Sequence, residues 1–132
     1  MNDTHDTDGA DGAGGAARTG GTGETPETSG DRLDRLRRRL VDFAAARGWE
    51  PYHTPKNLCA ALSVEASELL EIFQWLTEDQ SRQLSADKLA HAGQEVGDIV
   101  LYLLLLCSEL GLDMDAVVRS KLADSERRFV HE

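Results

Sequence analysis

The chain has 132 residues and 14.4 kDa, with 24 acidic against 14 Lys and Arg residues and a formal charge of −10. That length holds one domain, and the acidic balance argues against a nucleic-acid groove. Its two cysteines, Cys59 and Cys107, lie in apolar stretches without metal-type spacing, which excludes a disulfide scaffold and marks both as reduced core residues.

Residues 1–30 contain no Leu, Ile, Val or aromatic, eight of the twelve glycines, and six acids against Arg18 alone. This composition predicts a disordered, acidic, Gly-rich tail, with the folded domain over residues 31–132. The leader has neither the basic and apolar regions of a secretory signal nor the arginine content of a mitochondrial presequence, so a cytoplasmic location is expected.

Leu33, Leu36, Leu40 and Phe43 repeat at three and four, predicting a first helix from about Asp31 to Arg47, stopped by Gly48. Its arginines, Arg32, Arg35, Arg37, Arg38 and Arg39, alternate with acids and read as a solvated face. Pro51 discourages helix in the segment Trp49 to His53. Thr54 and Pro55 then open a second helix as N-cap and first residue, running to about Thr77. Glu78 to Gln83 is polar and predicts a turn. Ser85 caps a third helix to Glu109 or Leu110, Gly111 ends it, and Asp113 caps a fourth with Met114, Val117, Val118 and Leu122 on one side.

No period-two alternation appears, so the expected fold is all-α, a four-helix bundle. The run Ile99 to Cys107 is apolar on every side yet shorter than the roughly twenty residues of a membrane span. One small bundle cannot cover it, which predicts self-association as a dimer or dimer of dimers through outward positions such as Leu104, and no membrane partner. Gly93 and Gly97 each cost about 1 kcal/mol in a helix interior, predicting close approach of backbone or ligand beside them.

The pairs Glu65-x-x-Glu68 and Glu95-x-x-Asp98 carry the chemistry. Residues three apart lie about 60° apart around a helix, so each pair projects from one face, and antiparallel packing would gather four acids. The acids are interleaved with apolar residues, and no Lys or Arg occurs between Asn57 and Thr77 or between Leu89 and Val118. Carboxylates beside a core without basic partners call for a hard cation, Mg²⁺ with Mn²⁺ as its substitute. A carboxylate-bridged di-iron bundle would need Glu-x-x-His pairs in its core helices, and Asp98 stands where the histidine would follow Glu95. A non-catalytic helical interaction module with solvated acidic faces would show no dependence on metal.

The order Trp49 to His53, Asn57, Glu65-x-x-Glu68-x-x-Glu71-x-x-Gln74-Trp75, Glu95-x-x-Asp98-x-x-x-Tyr102 and Lys121 resembles the MazG-like all-α nucleoside triphosphate pyrophosphohydrolases, in particular the dCTP pyrophosphatase branch. The resemblance implies cleavage of a nucleoside triphosphate between its α- and β-phosphates, with Glu65, Glu68, Glu95 and Asp98 as Mg²⁺ ligands. Glu68, then Glu65, is the expected catalytic base. Trp49, His53, Asn57, Trp75 and Tyr102 are expected at the base, and Lys121 at the phosphates. Leu40 and Ser125-Glu126 depart from the branch, some of whose members carry histidine and Asn-Arg there; both changes remove polar contacts.

Overall fold

The computed structural model describes residues 25–130, and the expected tail falls largely outside them. Four long helices, α1 (Ser29–Ala46), α2 (Pro55–Phe73), α4 (Ala86–Leu110) and α5 (Met114–Phe129), are joined by a 3₁₀ turn at Glu50–Tyr52 and a short helix α3 (Glu78–Ser81). The described residues form no strand, and the all-α expectation holds.

Each helix starts where a side chain satisfies the free N–H groups of the first turn. Thr54, Ser85 and Asp113 cap α2, α4 and α5, each accepting from the backbone N–H three residues on. Helix α1 begins two residues before the expected Asp31, because Thr28 and Asp31 form a reciprocal capping box: Asp31 N–H donates to Thr28 Oγ1 at 3.2 Å and Thr28 N–H to Asp31 Oδ2 at 3.0 Å. A second box ends α2 early and turns the expected loop into α3. Thr77 N–H donates to Gln80 Oε1 at 2.9 Å and Gln80 N–H to Thr77 Oγ1 at 3.2 Å, so Thr77 starts a new helix instead of finishing the old one. Gly48 and Gly111 adopt φ of 69° and 66°, the left-handed conformation that closes α1 and α4 where the glycines predict it.

Helix α4 is the hub. It packs along α2 more extensively than any other pair of elements, and also on α1, which in turn holds α5. The core is Ala44 of α1, Leu58 of α2 and Ala92, Leu104, Leu105 and Cys107 of α4; α5 contributes no buried residue. Leu58 and Leu104 are 1% and 2% exposed. Leu104 therefore does not point outward as expected. A run apolar on all sides gives no period by which to choose a face, and the outward side is marked instead by Leu101, 41% exposed. Cys59 is likewise exposed, since Leu58 takes the inward position and the next residue is rotated about 100° away.

At 25 residues α4 is long and apolar enough to cross a membrane, but it carries the buried Glu95 and packs on two neighbouring helices. One chain leaves much apolar surface uncovered, including Val64, Leu70, Leu89, Val118 and Leu122.

Leu104→Ala is expected to destabilise the fold by about 2–5 kcal/mol in urea unfolding, the range for emptying a buried leucine, whereas Leu101→Ala should cost well under half of that.

Candidate metal centre

Helix α2 delivers Glu65, and helix α4 delivers Glu95 and Asp98 from consecutive turns of one face. One carboxylate oxygen from each lies within 4.8 Å of the other two. The three acids are graded in exposure: Glu95 is buried at 7%, Glu65 is half-buried and Asp98 opens to solvent. A core lies behind the cluster and water in front.

The cluster is short of hydrogen-bond donors. Oε2 of Glu65 and Oε2 of Glu95 are both buried without a partner. Among the described residues no Lys or Arg pairs with any of the four acids, as their local sequence predicts. Among the described residues the one basic group close to the cluster is His91, whose Nε2 lies 3.3 Å from Glu95 Oε1. The motif spacing did not single out His91; its signal was the four-residue step to Glu95 along one helix face.

This crowding shows in the titration of α2. The Glu95 carboxylate, with burial and the charge of Asp98 behind it, raises the Glu65 carboxyl above the ordinary 4.5, although Glu68 partly offsets it. Glu65 in turn raises Glu68 by proximity and charge. Glu68 thus adjoins both Glu65 and Glu95, while standing outside the set of oxygens that all lie within 4.8 Å of one another. An all-oxygen donor set with two buried, unpartnered oxygens and mutually repelling carboxylates fits a hard divalent cation.

The other candidates surround this centre unequally. Tyr102, half-buried, lies one turn beyond Asp98 on α4. Trp75, just past the end of α2, is 87% exposed. Trp49 and His53 meet edge-on with ring centres 6.2 Å apart, and Trp49 also packs edge-on against Phe43 at 5.5 Å. Asn57 donates its side-chain amide to the Tyr52 carbonyl at 3.0 Å, so it fastens the 3₁₀ turn to α2. Lys121 sits 3.8 Å from Asp124, a carboxylate it shares with Arg127 and Arg128. The expected approach to the two glycines is not made within one chain: a Cβ at Gly93 or Gly97 would meet nothing within 4 Å.

Glu65 and Glu68 hold protons more tightly folded than unfolded. Their contribution to stability is present below the unfolded value of 4.5 and lost as pH rises through the raised folded values. Metal-free protein should melt at progressively lower temperature as pH climbs from 4.5 toward neutrality. Asp31 and Asp34, whose carboxyls are lowered by Thr28 and Arg37, act in a separate window below 3.8. Millimolar Mg²⁺ or Mn²⁺ should flatten the slope and restore about 2.7 kcal/mol at a hundredfold excess over Kd. Glu65→Gln should flatten it without metal.

Residues 60–131 match the MazG-like family. Proteins named dCTP pyrophosphatase 1 from Homo sapiens and Bos taurus are 36% and 35% identical over 96 residues, which cover 71% of this chain and 56% and 57% of theirs. The chain thus spans a little over half the length of the curated relatives it matches. The crystal structure of a pyrophosphatase from Archaeoglobus fulgidus aligns with a TM-score of 0.70 at 35% identity, covering 74% of this chain and 92% of that one. Both acidic motifs fall inside the matched region, on α2 and α4 of an all-α fold, and the chain belongs to the MazG-like family.

Proposed function

We propose that this chain is a Mg²⁺-dependent nucleoside triphosphate pyrophosphohydrolase that releases pyrophosphate and a nucleoside monophosphate. The observation that carries the reading is the Glu65, Glu95 and Asp98 trio with its two buried, unpartnered oxygens. The similarity to dCTP pyrophosphatases favours dCTP or a modified pyrimidine deoxynucleotide as substrate, and a house-cleaning role.

A triphosphate carries about four negative charges, so it can approach an acidic cluster only through bridging cations. When bound there, Mg²⁺ would draw charge from the phosphate oxygens and stabilise the departing pyrophosphate. Glu65, Glu95 and Asp98 would hold the ion, with Glu68 beside them. Glu68 is the first choice as base because it lies beside the trio but not within it, which leaves a carboxylate oxygen to take a proton from water; Glu65 is second. Three cations, Lys121, Arg127 and Arg128, share the single Asp124 carboxylate, and their surplus positive charge suits phosphate. Trp75 offers an open ring face for stacking, and Tyr102, Trp49 and His53 supply further aromatic surface. The Asn57 carbonyl oxygen stays available to a base, since its amide is committed to Tyr52.

The working form is a homodimer or dimer of dimers. Supporting this, α5 buries no residue within one chain, and Leu101, Val118 and Leu122 are 41%, 58% and 58% exposed. Leu101→Glu should lower the mass measured by light scattering, and activity should fall with it. Unchanged mass would refute this placement of the interface.

A pyrophosphate-release assay across canonical and modified nucleoside triphosphates tests the activity; orthophosphate as first product would overturn it. Glu68→Gln, Glu95→Gln and Asp98→Asn should each reduce turnover at least about a hundredfold with helical content retained, because each removes charge and not volume.

A further inference from the structure

His91 belongs to none of the acidic pairs, yet among the described residues it is the one Lys, Arg or His whose side-chain nitrogen comes within 4.0 Å of a carboxylate oxygen of the four acids. Its place one turn before Glu95 on α4 brings Nε2 to 3.3 Å from Glu95 Oε1. The two ends of this contact differ sharply in solvation. The Glu95 side chain is 10% exposed and that of His91 57%.

The two oxygens of Glu95 are consequently in different situations. Oε1 faces the imidazole, while Oε2 is buried with no partner, as is Oε2 of Glu65. The terminal torsion of a glutamate is broad, so a carboxylate without a donor can swing. A fixed donor on one oxygen determines where the other points. An imidazole one turn away on the same helix has an N–H with which to do this.

We propose that His91 is a positioning residue: its Nε2–H donates to Glu95 Oε1, locks the rotation of the carboxylate, and presents Oε2 to a divalent cation held with Glu65 and Asp98. Such outer contacts orient ligands and raise their affinity for metal. The inference rests on the metal-dependent reading given above, but concerns a residue that takes no part in binding substrate.

Calorimetric titration of the full-length protein with Mn²⁺ alone, without nucleotide, separates the two. His91→Leu should weaken Mn²⁺ binding about 10- to 100-fold, the range for losing such a contact, while His91→Gln, whose amide can donate from nearly the same place, should stay within about threefold of wild type. His91 is more than half exposed, so both variants should keep their helical spectrum; His91→Ala replaces the leucine variant if it does not fold. Equal affinity in wild type and His91→Leu, or equal loss in the leucine and glutamine variants, would overturn the positioning role and leave the metal centre standing. A wild-type protein that binds no Mn²⁺ would overturn both.

Discussion

The packing of α2 on α4 is arranged around three carboxylates gathered between the two helices with no lysine or arginine among the described residues to offset them. Like charges a few ångströms apart at the edge of a core oppose the packing that brings them together. That repulsion falls on the contact between α2 and α4, the most extensive in the molecule. The fold tolerates it because apolar burial on the same helices, from Leu58 and Ala92 through to Leu104 and Leu105, holds them in register. A proton can relieve the repulsion, and the Glu65 and Glu68 carboxyls accordingly lie above the ordinary carboxylate value. A divalent cation relieves it more completely at neutral pH, where protons are scarce.

Much of this was legible in the sequence because capping and spacing are local. Thr54, Ser85, Gly111 and Asp113 mark helix ends through contacts with residues three or four positions away. The equal spacing of the acids placed each pair on one face before any packing was known. The two boundary errors were also local: the boxes of Thr28 with Asp31 and Thr77 with Gln80 had readable residues, but at Thr77 a helix-compatible stretch ran straight through the signal.

What the sequence did not show depends on three-dimensional choice. A run apolar on every side has no moment, so Ile99 to Cys107 could not reveal that Leu104 faces the core and Leu101 the solvent. Cys59 failed for a related reason: an apolar neighbourhood in sequence is not a buried side in space. Nor could spacing show that Glu65, Glu95 and Asp98 close into a trio while Glu68 stays beside it, since that depends on how α2 is rotated against α4. The same rotation leaves Glu95 the deepest of the acids.

Helix α4 joins the two unsolved demands of a single chain. Its N-terminal half carries Glu95 and Asp98, which call for a cation, and its C-terminal half carries the apolar run, which calls for more cover than α1 and α2 provide. A rigid helix transmits any shift at one end to the other, and Tyr102 lies within the apolar run, one turn beyond Asp98. Burial of the outer side of α4 by a second copy would fix the rotation of the helix, and with it the direction in which Glu95 and Asp98 point. On this account a subunit contact at Leu101 and the geometry of the acids 3 and 6 residues earlier would be parts of one constraint, and assembly would act on a cation held by those acids through the helix itself, without an added loop or lid.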